Sequence, residues 1–341
     1  MASRSYAIAA VVAVLAWPQA PTEAADFYRD KQINIVVSTN PATGFDTFAR
    51  MIGRYLPKYI SGNPAIVVQN MPGAGGLVAT NWLYNLAPRD GLTIGLINTT
   101  IPFDPLYGEK QARFVANKFN WLGSPSKETG LLLVWHTVPV DSIANARNRQ
   151  LILAATGVRS TPAFFARVLA SIFDLNVKII AAYKSQPEGF LAMERGENDG
   201  NASTFWSSLT SEKPDWIRDK KVKVLAYYGL ERDLKIPGPY VFDLITDPEK
   251  KAIMEVAQAG LGMGRPLLAP PNLDPEKVAI LRAALEQVFK DPAYLAECAR
   301  AQLDCHSPSS GAELFALVQH IYNQPKSAVD KVAAIYKEGE K

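Results

Sequence analysis

The sequence predicts an α/β fold built as two sheets covered by helices. Short β-branched runs alternate with stretches whose apolar residues recur at three- and four-residue steps, and this alternation starts afresh in the middle of the chain. The last quarter is mostly helical, which is how segments that return to cover an existing sheet behave. No period of 20 to 50 residues appears, so solenoids and propellers are excluded.

Residues 33–37 form the first predicted strand, followed by a loop over 38–44. A helix comes next, with Phe45, Phe48, Met51, Ile52, Tyr55, Leu56 and Tyr59 on one face. The unit repeats as strand 65–69, loop 70–76 and helix 77–86. Strand 93–97 follows the turn Pro88-Arg89-Asp90-Gly91. The middle of the chain predicts strands 131–135 and 151–155, helix 162–173, strand 177–181, helix 187–195, and strands 199–203 and 222–227. Strands 131–135 and 222–227 are the candidates for the two crossings between lobes. Helical patterns cover 248–261, 275–289, 292–301 and 311–337, broken by an extended segment over 265–269.

At the N-terminus, Arg4, the apolar run Tyr6 to Trp17 and the stretch Thr22 to Ala25 read as a signal peptide over residues 1–25. An apolar run of that length is short of the roughly 20 residues that a spanning helix needs. The mature chain is therefore expected to be exported to the periplasm. A net charge of +3 with mixed signs gives no basic stripe, and nucleic acid is not an expected partner. Cys298 and Cys305, the two cysteines, either form a local disulfide in an oxidising compartment or remain as buried thiols. His136, His306 and His320 lack zinc-ligand spacing, so no metal is expected. Nucleotide fingerprints, hydrolase elbows and Cys-x-x-Cys are absent, and neither a cofactor nor an enzymatic activity is predicted.

In parallel sheets, ligands sit at the carboxyl ends of strands, where helix N-termini present free N–H groups. Three loops have that placement: 38–46, 70–76 and 156–161. The glycines of Pro72-Gly73-Ala74-Gly75-Gly76 either bring backbone close to an oxyanion or make a tight turn with close helix packing. Thr161 is read as the cap of a helix with Pro162 at its first position. Arg159 either forks onto a carboxylate or lies in solvent. Asp46 reads first as a loop organiser that either caps its helix or complements the helix dipole. Phe45, Tyr183, Phe205 and Trp206 pack either on a ligand's carbon skeleton or in the core.

The strings Ile35-Val36-Val37, Gly44-Phe45-Asp46-Thr47-Phe48-Ala49-Arg50, Ile66 through Gly76 and Pro88-Arg89-Asp90-Gly91 together resemble the substrate-binding receptors of tripartite tricarboxylate transporters, the Bug proteins. The order and spacing of these motifs span about 60 residues. Glu194 to Gly200 and Arg265 to Pro271 are compatible with the same family. The resemblance implies a type II periplasmic-binding-protein fold, two α/β lobes joined by a hinge with the ligand cleft between them. On the sequence, lobe one takes residues 26–128 plus 229–341, and lobe two takes 129–228. The family's capture mode maps onto Thr43, Gly44, Phe45 and Asp46, and onto Gly73, Ala74, Gly75 and Gly76. From the second lobe it implies Thr156, Arg159, Ser160 and Thr161, with Ser203 and Thr204 at a strand end. Members commonly carry Pro-Gly-Gly in the first loop, where this chain has Pro41, Ala42 and Thr43. The implied function is capture of a small organic carboxylate by a monomer that delivers it to the transporter's membrane subunits; two facing helix N-termini favour a dicarboxylate, and Phe45 and Trp206 leave an aromatic acid as the alternative ligand. The alternatives are a receptor presenting its ligand to a sensor kinase and an exported hydrolase.

Overall fold

The computed structural model describes residues 27–338 except 42, 159 and 302. The expected signal peptide, Ala42 and Arg159 lie outside the described residues.

The first sheet begins with β1 (Gln32–Val37), whose Ile33, Ile35 and Val37 are fully buried. Helix α1 (Gly44–Tyr55) follows and buries Phe48, Met51 and Ile52. Then come β2 (Ala65–Asn70), α2 (Leu77–Asn85), β3 (Thr93–Leu96) and β4 (Asn120–Ser124). The second sheet holds β5 (Gly130–Trp135), β6 (Leu151–Ala154), β7 (Val177–Ile180), β8 (Gly200–Phe205) and β9 (Val222–Tyr228). Its helices are α3 (Thr161–Phe173), α4 (Gln186–Glu194) and α5 (Trp206–Glu212). The return to the first sheet runs through α6 (Pro248–Met263) and β10 (Leu267–Ala269). Helices α7 (Pro275–Val288) and α8 (Pro292–Arg300) then lead to β11 (Ser309–Ser310), α9 (Gly311–Tyr322) and α10 (Lys326–Glu338).

Both sheets share one plan. The first runs β11-β4-β10-β3-β1-β2 and the second β7-β6-β8-β5-β9. In each, the parallel strands are joined by helical crossovers, and the pairing turns antiparallel away from them: β10 and β4 lie antiparallel to both neighbours in the first sheet, and β5 does so in the second. Strands β5 and β10 are the first ones laid down after each passage of the chain from one sheet to the other. They correct the expectation of parallel sheets, because apolar runs locate a strand but carry no direction. Strands β4 and β11 were not legible in the sequence. The single helix expected over 311–337 is two helices, with Pro325 between them, since proline cannot donate into a helix interior.

The crossings are pressed together. A Cβ on Gly264, whose φ is +59°, would stand 1.7 Å from the Ser126 carbonyl oxygen, and one on Gly229 would lie 3.0 Å from Thr129 Oγ1. Lys127 on the first crossing pairs with Glu231 on the second at 2.6 Å. Ile236 packs with Leu133, Trp216 and Tyr227, so the chain keeps contact with the second sheet for some residues after β9. The C-terminal helices also reach across. Phe165, Leu169 and Ile172 of α3 share one core with Ile253 and Val256 of α6 and Val332 of α10. Phe164 meets Tyr336 edge-on at 6.1 Å. Cys298 and Cys305 form a disulfide with Cα atoms 6.3 Å apart, buried beside Tyr294 and Met51.

Candidate ligand-binding site

On the first lobe, the start of α1 and the loop after β2 are built as one unit. Thr43 is the N-cap of α1 and accepts from the Asp46 N–H, and its hydroxyl lies 2.7 Å from that of Thr39. Asp46, expected to organise the loop and either cap the helix or complement its dipole, is not the cap but lies in the first turn, where its charge complements the dipole. A threonine with extended backbone one step before the helix satisfies the orphan N–H, which frees the carboxylate for other partners. That carboxylate is 3 % exposed and accepts from Arg50 Nε at 3.0 Å and from Asn70 Nδ2 at 3.0 Å. Asn70 Nδ2 also reaches the Thr39 carbonyl at 3.0 Å. Asp46 therefore ties the first loop to the second, an organising role. Gly44 and Phe45 occupy the first two helical positions.

Gly73, Ala74, Gly75 and Gly76 all have positive φ, at 138°, 46°, 66° and 115°. Four such residues in succession explain the glycine content, and a Cβ on Gly76 would press on the Ser38 side chain at 3.2 Å. The loop spends part of its donor set on itself: the Gly76 N–H bonds the Gly73 carbonyl at 2.9 Å, and the Leu77 N–H bonds that of Ala74.

The second lobe carries a cavity of about 260 Å³. Thr156, Thr161 and Pro162 enter it from the β6–α3 connection, Tyr183, Ser185 and Gln186 from the β7–α4 connection, and Asn201, Ser203 and Phe205 from β8. The N-termini of α3 and α4 thus both open onto it, each with proline at the start and a positive dipole end. Asn201 braces the wall, donating to the Ala154 carbonyl at 3.1 Å and accepting from the Ser203 N–H at 2.8 Å. Gln186 Nε2 is buried without a partner, and the Ser203 hydroxyl adjoins the Tyr228 phenol without a well-formed hydrogen bond. The described lining carries no charged side chain.

Of the residues expected from the second lobe, Thr156, Thr161 and Ser203 line the cavity. Thr204 points to the opposite face of β8, as strand alternation requires, and its hydroxyl is buried without a partner. Ser160, not Thr161, is the N-cap of α3, placing Thr161 and Pro162 one position further in. Its hydroxyl donates to the Gly157 carbonyl at 2.7 Å and makes no helix-cap bond. None of Thr43, Gly44, Phe45, Asp46 or Gly73 to Gly76 is among the residues that line this cavity. Sequence reasoning missed Ser185, Gln186 and Asn201. The helix-start pattern Ser185-Gln186-Pro187-Glu188 was a usable signal for the first two. Tyr183 and Phe205 line the cavity, whereas Trp206 packs against the second lobe's core.

Between the lobes lies a buried charge pair, Glu128 and Arg265. Burial pushes the Glu128 carboxyl up despite the nearby guanidinium, and burial lowers Arg265 against the pull of Glu128. Among the described residues, no group of three or more His, Cys, Asp or Glu is placed to hold a metal ion. No described helix is long and apolar enough to cross a membrane.

Three solved structures share this architecture. A TctC solute binding protein from Polaromonas superposes with a TM-score of 0.70 at 16% identity, over 92% of this chain and 99% of the other. A Rhodopseudomonas palustris protein solved with adipate gives 0.58 at 18% identity, over 94% and 99%. MatC from Rhodopseudomonas palustris, solved with bound malate, gives 0.55 at 19% identity, over 89% and 99%. The fold is that of a two-lobed periplasmic binding protein. The tripartite tricarboxylate transporter receptor family model matches residues 49–333. The chain belongs to that family of solute-binding receptors, and it is a receptor rather than an enzyme.

Proposed function

We propose that this protein is an exported, monomeric receptor that captures a small organic carboxylate, preferentially a dicarboxylate, and delivers it to the membrane subunits of a tripartite tricarboxylate-type transporter. The observation that carries this reading is the convergence of the α3 and α4 N-termini on an uncharged, polar and aromatic cavity. Such a cavity holds a carboxylate by N–H groups and dipole ends, without a competing anion. The start of α1, across the cleft, supplies a second site of the same kind for the other end of a dicarboxylate. Relatives of this fold solved with malate and with adipate support the ligand class.

In this reading, residues 26–128 plus 229–341 and residues 129–228 move as two bodies. Closure brings Thr43 to Asp46 and Gly73 to Gly76 toward Thr156, Ser160, Thr161 and Ser203. The closed form is the one the transporter engages.

Thermal unfolding of the mature protein against di-, tri- and monocarboxylates, with sugars and amines as controls, tests the proposal. A ligand at about 100 times its Kd adds about 2.7 kcal/mol. Stabilisation confined to carboxylates, largest for a dicarboxylate, is expected. Stabilisation only by sugars or amines refutes the ligand class.

A further inference from the structure

Arg265 sits where the returning chain presses on the first crossing. Its backbone N–H donates to Ser124 Oγ at 2.8 Å, and Gly264 before it permits the contact with Ser126 that a Cβ would forbid. The side chain, 17% exposed, lies over the ring of Phe45 with the guanidinium carbon 4.8 Å from the centroid, and 5.6 Å from that of Phe48. Phe45 is the second residue of α1, in the loop assigned to ligand capture. The guanidinium is stacked and held, yet poorly satisfied. Nη1 donates to the Gly264 carbonyl at 3.1 Å, Nη2 stands 3.5 Å from Glu128 Oε1, and the Nε–H is buried with no partner. Glu128 gives its other oxygen to the Ser207 hydroxyl of α5, at 3.1 Å. The Ser126 hydroxyl close by is also buried without a partner.

A guanidinium carries five donors in a planar fork matched to a carboxylate, and a buried cation left with one good hydrogen bond is an unusual expense for a fold. We propose that Arg265 is a ligand contact and specificity determinant. Its fork receives a carboxylate of the bound solute at the floor between the lobes, Phe45 forms the adjoining wall, and Glu128 is the weakly held counter-ion that the solute replaces. The proposal rests on the carboxylate reading above and adds a charged contact to a site otherwise made of backbone, hydroxyl and amide groups. It also gives the protein a reason to prefer a second carboxylate over a neutral end.

Titration calorimetry on ligand-stripped protein, with adipate and hexanoate as probes, tests it. Wild type is expected to prefer adipate. Arg265→Gln should weaken adipate by roughly 10- to 100-fold, the worth of a lost charge-assisted contact, while leaving hexanoate within roughly threefold. Glu128→Gln, which removes the competing anion and keeps the shape, should strengthen adipate. Arg265→Lys keeps the charge and should retain the preference for adipate, a control for folding alongside the unliganded thermal midpoint. Equal losses for both probes, or no loss, in Arg265→Gln overturn the assignment, as does weaker adipate binding in Glu128→Gln. If wild type binds carboxylates and Arg265→Gln is indifferent, only this inference fails. If wild type binds no carboxylate of the wider panel, the functional reading fails and takes this inference with it.

Discussion

Breaking the Cys298–Cys305 disulfide is expected to lower stability by an amount that follows from the loop it closes. The two cysteines are separated by 7 positions, so the closed loop counts eight residues with both ends included. Chain entropy for a loop of that length is about 8 cal/mol/K, or about 2.5 kcal/mol at room temperature. Unfolding entropy near roughly 2.1 cal/mol/K per residue, over a chain this long, converts this to a fall in Tm of about 4 °C. The assay is scanning calorimetry of the oxidised protein, of the reduced protein and of Cys298→Ala/Cys305→Ala, each with and without reductant. The double variant loses sulfur packing as well, since both cysteines are 1 % exposed, and should fall at least as far as the reduced protein. Ligand affinity should move by less than roughly twofold, because α8 meets α1 at its far end. There, Tyr55 donates to Glu297 at 2.8 Å and Arg54 pairs with the same carboxylate. A reductant effect that persists in the double variant, or a Tm unchanged on verified reduction, refutes the reasoning.

Two further perturbations probe other parts of the frame. The Asp291 carboxyl is held down at about 2, from 3.8, chiefly by the hydrogen bond from Lys58 at 2.9 Å, with the Ala293 N–H and the Tyr59 hydroxyl assisting. A carboxyl depressed in the folded state stabilises above its unfolded pKa and loses that contribution as pH falls toward its folded pKa. The stability advantage of wild type over Asp291→Asn should therefore be full above about pH 5 and vanish between about pH 4 and pH 2, read from urea midpoints; an advantage independent of pH contradicts the pairing. Gly264→Ala should destabilise by more than about 2 kcal/mol, since its positive φ alone costs an alanine about 1–2 kcal/mol and the new Cβ meets the Ser126 backbone. It should also abolish the preference for adipate over hexanoate by moving Arg265, and a variant with wild-type Tm and selectivity would show that the crossings are not tightly packed there.

Much of the frame was legible because its signals are local. Ile33, Ile35 and Val37 alternate as a strand must, and Phe48, Met51 and Ile52 recur as an α-helix must, so β1 and the start of α1 could be placed to within a residue or two, while the expected run to Tyr59 ends its α-helical part at Tyr55 and passes into a 3-10 turn with Pro57. The glycines at 73, 75 and 76 marked a loop of close backbone approach or a tight turn, and the structure gives all three the positive φ values that a residue without Cβ adopts readily. The start of α3 was off by one residue, since Ser160, Thr161 and Pro162 all suit a helix start and only tertiary placement chooses among them.

What the tertiary structure alone decided has a common physical origin: it concerns groups brought together from distant parts of the chain. The direction of β10 and β5 depends on where the chain crosses between lobes, which no periodicity records. Asn201 and Gln186 became site candidates only when two helix starts and a strand end met around one cavity. Arg265 and Glu128, 137 positions apart by their numbers, pair because Gly264 lets the returning strand lie against the outgoing crossing. Local propensity sets the identity of each element through its own side chains. A buried ion pair, a cavity and a strand's direction belong to the packing of elements against one another, and only the folded chain specifies that packing.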